Sequence, residues 1–269
     1  MMLQTLQRSK TPSGAAYLDR GRGDETVVLI HGVGMRIEVW APQIERLAED
    51  FRVVAVDLPG HGFSAPLGTP PQLQHFVGWF ENLLDELDLG PANVAGHSMG
   101  ALIATGMAAT TAEKVRRVAL LNGVYRRSEA VRRAVEARAD EIISGAFDRQ
   151  APLARWFADD EKDSEAYALT HALLDVVDPS GYAAAYEAFA TGDSVYSDCW
   201  RRVTCPALFL TGDGDLNSTA EMAREMAAAT PRGEAVVIEG HRHMVNLTAP
   251  EEVNGALIRW LGREVENDG

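Results

Sequence analysis

Short apolar runs recur along the chain and alternate with longer amphipathic stretches. Val27–Ile30, Val53–Val56, Val94–Ala95, Val118–Leu121, Ala207–Leu210 and Ala235–Ile238 are apolar without alternation, as expected of strands buried on both faces. Between them, Glu38–Glu49 gathers Trp40, Ile44 and Leu47 on one helical face. Gln72–Leu89 does the same with Phe76, Phe80, Leu83, Leu84 and Leu87. Met99–Thr111 has the small apolar composition of a buried helix, and Thr219–Ala229 and Pro250–Leu261 read as two more helices. Strand and helix alternating in this way predict an α/β fold with a mostly parallel central sheet flanked by helices.

The rhythm breaks between about Tyr125 and Trp200, where the period is helical and no strand pattern occurs. This stretch is too long for a single crossover, so a helical cap over the end of the sheet is expected, inserted before the last two strands. The boundaries are 125–200 for the cap, with 1–124 and 201–269 forming the core. The competing reading is a set of ordinary crossover helices.

Gly96-His97-Ser98-Met99-Gly100 follows the strand around Val94 directly and opens the small-residue helix. A G-x-S-x-G turn between strand and helix holds a serine hydroxyl exposed at the sheet edge, because the flanking glycines let backbones pass closely. Ser98 is therefore the candidate nucleophile. The Met99 amide, at a helix N-terminus, is a candidate oxyanion donor. The second donor is expected from the glycine-rich turn His31-Gly32-Val33-Gly34 after the first buried strand. Val33 is the preferred residue and Gly34 the alternative. His31 is expected to order this loop rather than to transfer protons.

A serine hydroxyl needs a base to accept its proton. Downstream of Ser98, His241 and His243 follow the last strand, and His171 falls in the expected cap. His243 is preferred, since it precedes the helix led by Pro250 and can reach inward. The acid is sought in Gly212-Asp213-Gly214-Asp215 after Ala207–Leu210, with Asp215 preferred and Asp213 the alternative. Its task is to hold the imidazole and stabilise the imidazolium.

The chain has 269 residues and a formal net charge of −14, which argues against nucleic acid or an anionic membrane as partner. Its length suits one α/β unit. Cys199 and Cys205 have neither metal-ligand spacing nor the numbers for a disulfide framework, so a reducing cytoplasm is expected. The N-terminus shows no apolar signal region, and no run of about 18 apolar residues suggests a membrane span. No metal or organic cofactor is expected.

Taken together, these motifs resemble the α/β-hydrolase fold family. The match comprises His31–Gly34, Asp57-Leu58-Pro59-Gly60-His61-Gly62-Phe63-Ser64, Gly96–Gly100, Gly212–Asp215, and His243 with Pro250-Glu251. The resemblance implies a Ser-Asp-His serine hydrolase and makes the Asp57–Ser64 stretch a structural turn, with no catalysis assigned to Asp57 or His61. Within the family the chain is most similar to 3-oxoadipate enol-lactonase-like hydrolases and to hydrolases of N-acyl enamines of dicarboxylic acids. Leu121–Arg126, Arg155-Trp156-Phe157 and Gly240–Asn246 carry that similarity.

The expected reaction is acyl transfer to water on an ester, enol-lactone or amide of a small carboxylated metabolite. Arginine grips a carboxylate with paired hydrogen bonds, which makes Arg155, beside Trp156, the first candidate for substrate binding and Arg126 the second. The competing reading of both is a solvated surface charge. Three other functions stay open: a C–C hydrolase of ring-cleavage products, a cofactor-free peroxidase or lyase, and a non-catalytic small-molecule receptor.

Overall fold

The computed structural model describes residues 5–68, 71–145 and 148–265. The outermost residues assigned to the core and four internal positions, 69–70 and 146–147, lie outside the described residues. Each expected strand is present and somewhat longer than its apolar run: β3 (Thr26–Ile30), β4 (Arg52–Val56), β5 (Ala92–His97), β6 (Val115–Leu121), β7 (Ala207–Gly212) and β8 (Gly233–Ile238). Two further strands, β1 (Ser9–Lys10) and β2 (Ala16–Arg20), precede them. The sheet order is β1-β2-β4-β3-β5-β6-β7-β8, with β1 and β2 antiparallel and the rest parallel. The first two strands escaped the apolar pattern because β1 is exposed and β2 alternates toward an exposed end.

The helices of the core are α1 (Ala41–Leu47), α2 (Leu73–Glu86), α3 (Met99–Thr110), α8 (Ala220–Ala229), α9 (Val245–Thr248) and α10 (Pro250–Leu261). The single helix expected over Glu38–Glu49 is instead a 3-10 turn, Ile37–Trp40, followed by α1. Pro42 in the first turn of α1 lacks the amide needed to continue a helix from before it, and Glu38 is buried on an ion pair with Arg8 rather than solvated.

Right-handed crossovers then place the layers. The β3–α1–β4 unit moves one way along the sheet, whereas the units through α2, α3 and α8 move the other way. So α1, with α10 packed on it, covers one face, and α2, α3 and α8 cover the other. The direction reverses between β3 and β5. A crevice opens outside the carboxyl ends of strands at such a switch point.

Four helices lie between β6 and β7: α4 (Glu129–Ile143), α5 (Ala151–Trp156), α6 (Glu165–Asp175) and α7 (Pro179–Gly192). Ser128, Ser164, Asp178 and Thr219 open α4, α6, α7 and α8, each accepting a first-turn backbone N–H. The start of α7 sits on the turn after β4, where Gly181 and Gly60 meet backbone to backbone, and Tyr182 rests against Gly34. These helices therefore lie over the carboxyl edge of the sheet, above the crevice.

The close contact beneath the crevice is a sensitive point. A Cβ at Gly100 would overlap the Ile30 carbonyl, and one at Gly96 would overlap Gly100. Gly100→Ala should lower the unfolding free energy by about 1–3 kcal/mol or more, the usual penalty for overpacking. Urea denaturation checks this, and an unchanged midpoint would mean that β3 and α3 are not pressed together.

Candidate active site

The register of the parallel strands brings five loops to one edge. Ile30 pairs with Gly96, His97 with Leu121, Leu121 with Leu210, and Gly212 with Ile238. The ladder continues one step beyond the strands, with Ser98 N–H donating to Leu121 O at 2.9 Å and Asn122 N–H to Leu210 O at 2.8 Å. The segments after β3, β5, β6, β7 and β8 thus leave the sheet side by side, and they carry Val33, Ser98, Asn122, Asp215 and His243.

Ser98 has φ 54° and ψ −112°, a left-handed conformation that side chains rarely adopt. Such a residue costs of order 1–3 kcal/mol and persists only where its surroundings impose it. Here the constraint is the passage of Gly96 against Gly100 and of Gly100 against Ile30. Met99 begins α3, so its N–H has no helical acceptor.

Asp215 and His243 are hydrogen-bonded and buried: Nδ1–H of His243 donates to Asp215 Oδ2 at 2.7 Å. The other ring nitrogen, Nε2, has no hydrogen-bond partner among the described residues. Asn122 Nδ2 donates to the same Asp215 oxygen at 2.8 Å, and Oδ1 accepts the amides of Asn217 at 2.8 Å and Ser218 at 3.2 Å. Burial alone would push the Asp215 carboxyl up, but the charge and hydrogen bond of His243, with the donors Asn122 and Asn217, hold it below its ordinary 3.8. The alternatives sit elsewhere. Asp213 is exposed and accepts Gly240 N–H at 2.9 Å, while His241 Nδ1 meets Thr248 Oγ1 at 2.8 Å.

His243 is also pinned through its backbone. Its N–H donates to Trp156 O at 3.2 Å, and its C=O accepts from His97 Nε2–H at 2.8 Å. The Trp156 ring stacks on the imidazole at 5.5 Å between centroids, and the His97 ring lies 5.0 Å from it. Burial, then the neighbouring His243, pushes His97 down to about 3, so it is the neutral donor this contact needs. Sequence reasoning missed His97 and Asn122, although His97 lies inside the pentapeptide and Asn122 directly follows β6.

The loop after β3 approaches the serine closely: a Cβ on Gly32 would lie 3.0 Å from Ser98 Cβ. The Gly34 amide is engaged, donating to His61 Nε2 at 2.9 Å. Among the described residues nothing accepts the Val33 amide, which separates the two candidates. His31 orders the loop, with Nδ1–H donating to Gly32 O at 2.7 Å and Nε2 accepting Leu58 N–H at 2.9 Å.

A cavity of about 30 Å³ is lined by Val33, Ser98 and His243 below and by the helices between β6 and β7 above. Its charged lining is Arg127, Arg138 and Arg155, with no carboxylate. Arg155 Nε and Arg127 Nη2 are buried with no hydrogen-bond partner among the described residues. Burial, then the like charge of Arg138, lowers the Arg155 guanidinium from its ordinary value. Arg155 and Trp156 thus reach the cavity. Arg126 does not: its side chain is exposed and pairs with Asp198 on the surface. Arg127 and Arg138 were not singled out from sequence, because α4 and its flanks read only as charged helix, and neither was Asn217, in the loop between β7 and α8. Among the described residues, no group of three or more His, Cys, Asp or Glu side chains is disposed to hold a metal ion, and no helix is long and apolar enough to cross a membrane.

A strained serine elbow, a buried Asp–His pair and a free loop amide on one sheet edge are the features of a hydrolase. The chain belongs to the alpha/beta hydrolase family, whose model matches residues 27–256, and it is a hydrolase. It is 50% identical over 261 residues to the (E)-2-((N-methylformamido)methylene)succinate hydrolase of Acinetobacter baylyi, covering 97% of this chain and 98% of that one. Among solved structures, the enol-lactonase from Burkholderia xenovorans LB400 superposes with a TM-score of 0.81 at 29% identity, over 96% of this chain and all of that one. A malate-bound thermophilic esterase from Thermogutta terrifontis gives 0.84 at 25% identity, over 95% and 98% of the two chains.

The lowered Asp215 carboxyl has a consequence for acid stability. Its folded value lies below the unfolded one, so its contribution is complete above about pH 4 and is lost as the pH falls through the folded value. The stability gap between wild type and Asp215→Asn should therefore narrow from about pH 5 to about pH 3. Denaturation midpoints at the two pH values read the gap, and a constant gap would contradict an ionised Asp215.

Proposed function

We propose that the protein hydrolyses the amide bond of a small N-acylated enamine that carries two carboxylates, through an acyl-enzyme on Ser98. One observation carries this reading: a cavity beside Ser98 has a charged lining made only of arginines, in a chain half identical to a hydrolase of such a succinate derivative. Two carboxylates in a confined site call for more than one cation.

In this mechanism His243 Nε2 takes the Ser98 proton as the Oγ attacks the acyl carbonyl. Asp215 holds the imidazole and offsets the imidazolium without accepting the proton. The oxyanion is met by the Val33 and Met99 amides. His243 then protonates the departing nitrogen, and water activated by the same imidazole releases the acid. Arg155 and Arg138 bind the carboxylates, Arg127 being held in a buried ion pair with Asp193, and Trp156 walls the site while stacking on the base. Helices α4–α7 act as a cap of about 125–200 that excludes water and sets the pocket shape. The free thiols Cys199 and Cys205 support a cytoplasmic location.

The test is a comparison of three substrate types: an N-acyl enamine dicarboxylate, an enol-lactone and an uncharged aryl ester. The amide should be preferred, yielding acid and amine, and Ser98→Ala should lower kcat by on the order of a thousandfold or more. Arg155→Met should raise KM for the dicarboxylate by about tenfold or more, the worth of a charged hydrogen bond, and leave the aryl ester unaffected. An unchanged KM, or preference for the lactone, would contradict the substrate reading. Carbon–carbon cleavage products would contradict the reaction.

A further inference from the structure

His31 and His61 stitch two neighbouring loops together reciprocally. β3 and β4 are adjacent and in register, with Ile30 opposite Val56. The loop after β3 and the turn after β4 therefore leave the sheet side by side. His31, on the first, accepts Leu58 N–H of the second at 2.9 Å, and His61, on the second, accepts Gly34 N–H of the first at 2.9 Å. Each ring's other nitrogen faces a carbonyl of its own loop, Gly32 O at 2.7 Å and Pro59 O at 3.1 Å. The ring centroids are 5.6 Å apart, and both rings are buried.

These partners settle the protonation state. A carbonyl only accepts, so Nδ1 carries the hydrogen in both rings. A backbone N–H only donates, so Nε2 must offer a lone pair. Both histidines are therefore neutral. Burial pushes His61 down to about 4, and burial with the neighbouring His61 holds His31 well below its ordinary value, so the arrangement holds through neutral pH.

The consequence falls on the oxyanion loop. Gly34 has φ +80°, a conformation that turns the chain sharply and directs its amide at His61. The competing donor is thereby occupied, whereas the preceding amide, at Val33, has no acceptor among the described residues and belongs to a residue that lines the cavity with Ser98. We infer that His61 is a positioning residue: by accepting the Gly34 amide through a neutral Nε2, it selects and aims the Val33 amide as the loop's oxyanion donor. This rests on the acyl-enzyme reading above. It assigns a task to a residue of the Asp57–Ser64 turn that its motif alone marks only as structural.

His61→Leu and His61→Gln test it. Leucine removes the acceptor, whereas glutamine places a neutral carbonyl oxygen at about the reach of Nε2. His61→Leu should lower kcat about 10- to 100-fold, up to the loss of one oxyanion donor. KM should stay within roughly threefold, since the interaction lost is made in the transition state. His61→Gln should recover most of the loss. In the wild type, long-range ¹H–¹⁵N NMR should show His61 neutral with its hydrogen on Nδ1 at neutral pH. A folded His61→Leu with wild-type kcat would overturn the inference, as would a protonated or Nε2–H His61, a result that stands even where the leucine variant fails to fold. Should Ser98→Ala keep activity, the acyl-enzyme reading itself fails. An inactive Ser98→Ala beside a fully active His61→Leu sinks the positioning role alone.

Discussion

Ser98 holds a left-handed backbone conformation with a side chain attached, and the rest of the site is arranged around the means of keeping it there. The restraint comes from two glycines that admit backbone where any Cβ would collide, Gly96 against Gly100 and Gly100 against Ile30. Pressing α3 onto the end of β3 in this way places the serine beside the β3 loop, so the same contact that strains the elbow also brings Gly32 and Val33 to it. The proposed nucleophile and oxyanion donor are consequences of one packing constraint. The strain of about 1–3 kcal/mol is small against the apolar burial of a sheet covered on both faces.

The proposed base, His243, is held from the opposite direction. His243 receives its orientation from Asp215, but its backbone is fixed by His97 from the elbow and by Trp156 from α5. Arg242 adds a hydrogen bond to Phe157 O at 2.8 Å. The loop bearing His243 is therefore joined both to α5 above the crevice and to the elbow below. Helix α5 and His243 are joined through Trp156, which meets His243 with both its carbonyl and its ring.

Much of this was readable from residue order. Parallel strands buried on both faces show as unbroken apolar runs, so β3 to β7 were visible; the edge strand β8 carries such a run although it is only partly buried, while the exposed β1 and the alternating β2 offered none. The choices of Asp215 over Asp213, His243 over His241 and Val33 over Gly34 each meet a geometric distinction: Asp215 and His243 are bonded to each other, whereas Asp213 accepts from Gly240, His241 meets Thr248, and the Gly34 amide is spent on His61. Arg155 reaches the cavity and Arg126 does not, a difference set by how the helices fold back, which helical periodicity alone does not encode. His97, Asn122, Arg127 and Arg138 were invisible for the same reason. Their hydrogen-bond partners lie 48 or more residues away across the sheet or between helices, as with Asn122 and Asp215, which are 93 residues apart.

The central claim is that Ser98 is the nucleophile, activated by the buried pair beside it. Labelling with a fluorophosphonate, followed by intact mass and peptide mapping, addresses it without knowledge of the substrate. One phosphonate per chain on the peptide containing Ser98, lost in Ser98→Ala and strongly slowed in His243→Ala, is the predicted result. An unlabelled wild type, or an adduct on another residue, would contradict the account.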